Sequence, residues 1–432
     1  MRDSGVEWIG EIPEGWSTCR MGPNFYMKGR IGWQGLKSDD FIDEGPCLIT
    51  GTDFDNGTVD WSRCYHISQE RFDEDPAIHV QEDDVLFTKD GTVGKLAYVD
   101  RNPGQASLNS HLLLIRGFDK ARTSQRFLFW VLQSDVFTRF KLLVQHGSVM
   151  DSISQTDMRH FIYPLPDIEE QERIAHQLDG EVAEVEAASS TASHQIDVLR
   201  RYRESLIHEA VTKGLDPSAP MKPSGVEWIG DINAAWLMSK VKYQADVTLG
   251  KMLDAGKIEM AAEEAPYLRA GNIVNGCISG DIKMMPFSLE EKPKFLLRQG
   301  DALVVEGGNV GETAIYESAD SEMYFQKSLN RVRMFNGRNR FFAYWMSFLK
   351  STGFLPQLCN RSTILHYTRE KLLATPMVCP PDAEQDAIVS HLDEHCARID
   401  SIIDLKQRQL DILKRRRQSL IYEYVTGKRR VK

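Results

Sequence analysis

The sequence predicts an α+β protein: two mixed α/β domains in pseudo-two-fold repeat, separated by two long antiparallel helices of coiled-coil type. Two observations predict it. The 432 residues are written twice, and each copy closes with a long stretch whose apolar residues recur at spacings of three and four. Ser4-Gly-Val-Glu-Trp-Ile-Gly10 returns as Ser224-Gly-Val-Glu-Trp-Ile-Gly230, followed by Ile12/Ile232 and Trp16/Trp236 at the same offset of 220. Gln171 to Thr212 aligns without gaps on Gln385 to Thr426, with 16 identities in 42 positions.

In chain order, each copy opens with short β patterns and one or two helices. Asp84-Val-Leu-Phe-Thr88, Asp90-Gly-Thr-Val-Gly94 and Lys95-Leu-Ala-Tyr-Val99 read as strand, turn and strand. The second copy keeps Asp301-Ala-Leu303 and Gly308-x-Val-Gly311, and further landmarks pair Gly32 with Gly250, Gly51 with Gly271 and Ser107-Leu-Asn109 with Ser328-Leu-Asn330. Aromatic-rich helices are expected over 124–143 and 340–354. Prolines 164 and 166, and 380 and 381, then precede acidic residues that suit a helix start. The seam that follows is Ile174, Leu178, Val182, Val185, Ala188, Ala192, Ile196, Leu199 and Leu206 in the first copy. In the second it is Ile388, Leu392, Cys396, Ile399, Ile403, Leu410, Leu413, Leu420 and Tyr424. Each helix would be roughly 65 Å long at 1.5 Å per residue. So narrow a stripe needs a partner, and the other copy supplies one, antiparallel by the repeat. Lys213-Gly-Leu-Asp-Pro-Ser-Ala-Pro-Met-Lys-Pro223 reads as a linker, and Lys428-Arg-Arg-Val-Lys432 as a mobile basic tail.

Composition narrows the function. A net charge of −10 excludes a uniformly basic nucleic-acid-coating protein but not a local basic face. The opening Met-Arg-Asp-Ser-Gly-Val-Glu lacks an apolar leader, and apolar runs such as Phe127 to Leu132 fall far short of the roughly 18 residues of a membrane span. A cytoplasmic location without membrane contact is expected. Seven scattered Cys, none in a C-x-x-C pair, read as reduced and structural.

With the leading segment repeated, a variable stretch ending in Leu165-Pro166 or Cys379-Pro380, and Glu170-Gln171 or Glu384-Gln385 opening a long helix, the chain resembles the specificity subunit of type I restriction-modification systems over essentially its whole length. The resemblance implies two target recognition domains (1–164 and 224–378), each reading one half of a bipartite double-stranded DNA site. It also implies two spacer helices (165–213 and 379–427), a linker (214–223) and a tail (428–432). Two methyltransferase subunits would dock on the assembly, joined by restriction/translocase subunits for cleavage in host defence. The chain itself would be non-catalytic and hold no cofactor: S-adenosylmethionine belongs to the methyltransferase partner, ATP and magnesium to the restriction partner. Two domains approaching one face of B-DNA would centre about one helical turn apart, roughly 10 bp. Charge is uneven: residues 1–165 and 166–216 each sum to −7, and 217–378 and 379–432 each to +2. Phosphate neutralisation supplies much of DNA affinity, so the isolated subunit is expected to bind DNA weakly and to need its partners. The competing reading is a coiled-coil scaffold or regulator with degenerate recognition domains.

Candidate DNA contacts follow from residue type. Lys89, Thr92, Lys95 and Asn309 sit at the glycine turns, which on the plain reading are hairpin turns without a ligand. Asn109, Lys327 and Asn330 suit base edges, since Asn reads adenine bidentately and Lys suits guanine or phosphate. Because Ser-Leu-Asn stands in both copies, a structural role for it competes. Arg30, Gln34, Thr50, Thr52, Lys251, Arg269 and Asn272 bear polar groups near glycines, and Ser148, Arg361 and Thr363 complete the set. Arg201, Arg203, Arg415 and Arg417, near the helix ends, are candidates for partner-subunit contact, against a solvated face that suits the C-terminal dipole. His391-Leu-Asp-Glu-His395 spells a zinc-protease pattern, yet the aligned Gln177-Leu-Asp-Gly-Glu181 has neither His and Leu392 belongs to the seam. No catalytic or metal-ligating constellation is expected.

Overall fold

A computed structural model of the chain describes residues 1–30, 41–144, 152–252, 263–319, 322–358 and 365–431. They form two compact units, Met1–Ser193 with Arg408–Lys432, and His194–Gln407. In the first, strands Leu96–Tyr98, Val85–Thr88, Leu112–Gly117 and Phe25–Lys28 lie side by side in that order, all antiparallel. The runs Val85-Leu-Phe87 and Leu112-Leu-Leu-Ile115 are apolar throughout because this sheet is buried on both faces. Alternation sends Phe25, Met27, Val85, Phe87, Leu113 and Ile115 into a core shared with helices, and Leu86, Leu112 and Leu114 into a second core. A three-stranded sheet helps to close that second core: Ala106–Leu108 runs parallel to Phe41–Ile49, whose other edge carries Tyr65–Ile67 antiparallel. The helix expected over 124–143 is two, Gln125–Gln133 and Asp135–Val144. They part at Ser134, whose hydroxyl turns back to the Val131 carbonyl at 2.6 Å.

The second unit repeats this plan. Strands Ala245–Leu249, Leu329–Met334, Ala302–Val305 and Thr313–Ile315 form the four-stranded sheet, and Lys283–Phe287, Glu263–Leu268 and Tyr324–Phe325 the three-stranded one, again with one parallel pair. Helix Asn339–Ser351 fills the main core with Phe341, Phe342, Trp345, Met346 and Phe348. Even a buried ion pair is duplicated. Asp84 meets Arg116 at 2.7 Å, and Asp301 meets Arg333 at 2.5 Å.

The long helices are Ile168–Lys213 and Asp382–Val425, 46 and 44 residues. Asp167 opens the first by accepting from the Glu170 amide at 2.8 Å. Its Ala/Ser-rich middle stays helical, with the Ser189 and Thr191 hydroxyls donating to the Val185 and Ala187 carbonyls. All the seam positions are buried or half-buried. Both units pair their helical segments antiparallel. In the first, Tyr424 reaches Glu181 and Arg417 reaches Glu186. In the second, Arg203 meets Asp400 at 2.9 Å while Ile207, Ala210 and Val211 share a core with Ile388, Leu392 and Cys396.

Matched clamps fasten the sheet-bearing segment of each unit to the long helix that follows it. Trp16 donates its indole N–H to Glu170 at 2.9 Å, and Trp236 donates to Glu384 at 2.7 Å. Arg126 and Trp130 converge on Asp179, as Arg340 and Tyr344 do on Asp393. Residues 428–431, expected to be mobile, are instead docked on the first unit. Arg429 pairs with Glu181, and Arg430 with Glu170 while lying over the Trp16 ring. No helix among the described residues is long and apolar enough to cross a membrane.

Candidate nucleic-acid interface

At one end of the sheets of the first unit, several chain segments come together. The Lys89 amide donates to the His111 carbonyl at 3.0 Å, Asn109 to Ile49 at 2.9 Å, and Ile153 to Lys89 at 2.9 Å. Gly29 passes so close to this frame that a Cβ would lie 2.7 Å from the Leu112 carbonyl oxygen. Thr88 closes the glycine turn: its hydroxyl donates to the Thr92 carbonyl at 2.6 Å and accepts from the Lys95 amide at 2.9 Å. Gly91 (φ 71°) and Gly94 (φ 97°) take left-handed conformations there that side chains resist.

The second unit builds the same frame. Glu306 donates to Ser328 at 2.9 Å, Gln326 to Leu268 at 2.9 Å, and Tyr367 to Glu306 at 2.7 Å. These bonds define which residues are equivalent. Lys89 corresponds to Glu306, Asn109 to Gln326 and His111 to Ser328. Lys95 corresponds to Glu312, since Thr88 and Val305 donate to their respective carbonyls, and Ser152 to His366, which bridge Asp90 and Gly307.

This corrects two sequence pairings. Ser107-Leu-Asn109 does not match Ser328-Leu-Asn330: Ser107 and Leu108 lie in the strand parallel to Phe41–Ile49, whereas Leu329 and Asn330 begin the antiparallel strand that corresponds to Leu112–Gly117. The shared tripeptide spans different elements. Likewise Asp53 and Asn272 accept from the amides of Thr50 and Arg269, so Gly51 corresponds to Ala270 and not to Gly271.

Four candidates for DNA contact are committed to the interior. Arg30 is 2% exposed and donates to the Leu108 carbonyl and Ser107 hydroxyl. Asn272 is buried and donates to the Ser279 and Asp281 carbonyls. Lys251 pairs with Glu291 and donates to the Pro286 carbonyl at 2.7 Å. Asn330 is wholly buried. Sequence alone could not separate donors that hold a loop from donors that a loop presents.

The remainder face outward or partly so. Thr92, Lys95, Asn309 and Lys327 are exposed, and Lys89, Asn109 and Arg269 half-buried. Thr50 and Thr52 share a hydroxyl contact at 2.7 Å on the turn around Asp53. The ammonium groups of Lys89, Lys95 and Lys327 carry no hydrogen bond or ion pair among the described residues. Gln34, Ser148, Arg361 and Thr363 lie outside the described residues.

Of the helix arginines, Arg203 and Arg417 are engaged within their own units by Asp400 and Glu186. Arg201 and Arg415 are exposed, each donating to the carbonyl four residues back at 3.3 Å. In the His391/His395 pattern, the intervening Glu394 pairs with Arg398. Among the described residues no group of three or more His, Cys, Asp or Glu could hold a metal ion.

One feature of this end was missed from sequence. Burial pushes the Glu306 carboxyl above the usual range, against the pull of His366, Asn330 and Lys327. Its Oε2 and both polar side-chain atoms of Asn330 are buried without a well-formed hydrogen bond among the described residues. An acidic residue beside candidate phosphate contacts draws no attention in a search for donors. The signal available was its place immediately before the glycine turn, where the first copy has Lys89.

Comparison with known proteins places these observations. The family profile described as type I restriction modification DNA specificity domain matches residues 31–188 and again 239–414. The type I restriction enzyme MjaVIII specificity subunit of Methanocaldococcus jannaschii is 22% identical over 443 residues, covering 98% of this chain and 94% of the relative. A solved chain from work on complex assembly and conformational transition of the type I R-M system superposes with a TM-score of 0.71 at 17% identity, covering 96% of this chain and 99% of that one. The HsdS subunit of Thermoanaerobacter tengcongensis gives 0.50 at 17% identity, covering 96% and 98%.

Proposed function

Because the chain belongs to the type I restriction-modification DNA specificity family, and so is a non-catalytic DNA-recognition subunit, we propose that each unit reads one half of a bipartite double-stranded DNA site. The two long helices act as an antiparallel coiled-coil spacer between pseudo-two-fold related recognition domains. The spacer fixes the unread gap, and the domains, bounded near 1–164 and 224–378, supply the two half-sites. Two methyltransferase subunits and, for cleavage, restriction/translocase subunits dock on this chain and bring S-adenosylmethionine, ATP and magnesium with them. The reaction so directed is adenine methylation.

The observation that carries this reading is one hydrogen-bond frame, built twice, presenting different side chains each time. A scaffold has no use for that difference. A reader of two unlike half-sites requires it, because phosphate contacts position a protein on a duplex while base-edge contacts specify the sequence.

Genome-wide methylation mapping of cells with and without this chain tests the proposal. A bipartite motif is expected with the chain and absent without it. No change in any motif sinks the reader and leaves the scaffold. Inserting about one helical turn of residues near Ala187 to Ser193 is expected to lengthen the gap and leave both half-sites intact. Altered half-sites in that variant contradict the division of labour.

A further inference from the structure

The residue immediately before each glycine turn holds the same place in both units, pinned on two sides by backbone bonds. Lys89 donates to His111 and accepts from Ile153; Glu306 donates to Ser328 and accepts from Tyr367. What differs is chemistry. The Lys89 ammonium is a donor with no partner among the described residues. The Glu306 carboxylate is an acceptor, half-buried, with Oε2 left without a well-formed hydrogen bond.

Behind Glu306 stands Asn330, wholly buried, its side-chain amide set against the Glu306 carboxylate. His366, bridged to Gly307, is near enough to draw electrostatically on the same carboxylate. Held from behind, the half-buried Glu306 side chain is an acceptor at the same place where the first unit offers a donor, and so suits a ligand that brings donors. The groove edges of DNA offer both kinds of match. Lysine donates to the O6 and N7 acceptors of guanine, and glutamate accepts from the exocyclic amine of cytosine.

Resting on the reading that each unit binds one half-site, we propose that Lys89 and Glu306 are equivalent base-reading positions of opposite polarity. Lys89 selects a guanine in the half-site of the first unit. Glu306, positioned by Asn330 and His366, selects a base presenting an exocyclic amine, cytosine first, in the half-site of the second. Lys95 and Glu312 are not a second such pair, because Glu312 is buried and engaged by Lys350 and the Gly276 amide.

The test uses the full chain with its methyltransferase partner in cells, with methylated motifs mapped for the parent, Lys89→Glu, Glu306→Lys, Lys89→Gln and Glu306→Gln. Glu306→Lys is expected to change one base pair in one half-site and to spare the other half; Lys89→Glu is expected to do the converse. The Gln variants should lose discrimination at those same base pairs by roughly five-fold to one-hundred-fold. If charge reversal abolishes methylation, the uncharged Gln variants decide, their folding checked by thermal unfolding of the purified chain. An unaltered motif in a folded, methylating Glu306→Gln variant overturns the assignment of Glu306. Changes in both half-sites overturn the proposal as a whole. A parent that yields no bipartite motif is a different failure, that of the DNA-reading function itself.

Discussion

The interior of each unit and its loop end differ in how much of the repeat they keep. On the inside, the same bonds are drawn by the same or closely similar residues: Asp84–Arg116 and Asp301–Arg333, Trp16–Glu170 and Trp236–Glu384, Arg126–Asp179 and Arg340–Asp393. At the loop end, equivalent places carry Lys89 and Glu306, His111 and Ser328, Ser152 and His366. Local polarity there also runs against net charge, since the more acidic first domain has the lysine and the second the glutamate. The contrast teaches that interior chemistry fixes where a loop sits, while the loop's own side chains are left to vary.

The largest effects should come from the interior and be equal in the two units. Asp84→Ala and Asp301→Ala each strand an arginine in a sheet and are expected to cost about 3 to 5 kcal/mol. Urea unfolding followed by hydrogen exchange in each unit checks this, and a marked asymmetry breaks the comparison. Next come the indole clamps. Trp236→Phe leaves Glu384 without its donor and is expected to cost about 1.5 to 3 kcal/mol. Trp16→Phe should cost less, because Glu170 keeps Arg430.

Smaller still is Glu306→Gln. Because burial raises the Glu306 carboxyl, its favourable contribution to stability is complete below the ordinary carboxylate range and is lost as pH rises through the folded-state value. The parent should therefore lose stability over that rise where Glu306→Gln does not, leaving the variant ahead at neutral pH by less than about 1 kcal/mol. Melting curves from pH 4 to 8 read this out, with Lys89→Gln as the matched control. The smallest effect on folding belongs to Arg201→Ala and Arg415→Ala, expected within about 0.5 kcal/mol of the parent. If these exposed, symmetric arginines meet the methyltransferase partners, each variant weakens co-purification of the partner while its melting curve stays put.

Much of the frame was legible in the sequence because it is periodic. Leu178 and Leu392 announce a seam, and Val85-Leu-Phe87 before a glycine turn announces a strand. Trp16 and Trp236 recur because each meets a glutamate on the helix that follows. The loop end was less legible because its order is set by strand register, which no single segment encodes. Ser-Leu-Asn occurs in both copies, yet one instance lies in a strand of one sheet and the other leads into a strand of the other. Arg30 and Lys251 looked like exposed donors beside glycines. They hold the loops from within, because carbonyls of distant strands lie in their reach.

The first unit takes in Arg408–Lys432, and its core includes Leu420, Ile421, Tyr424 and Val425. The second unit is one uninterrupted stretch, His194–Gln407. On a ribosome, then, the half made first is finished last. Until residues 408–432 emerge, Ile174, Leu178 and Val182 lack Leu420, Ile421, Tyr424 and Val425, an interval in which exposed apolar surface invites aggregation.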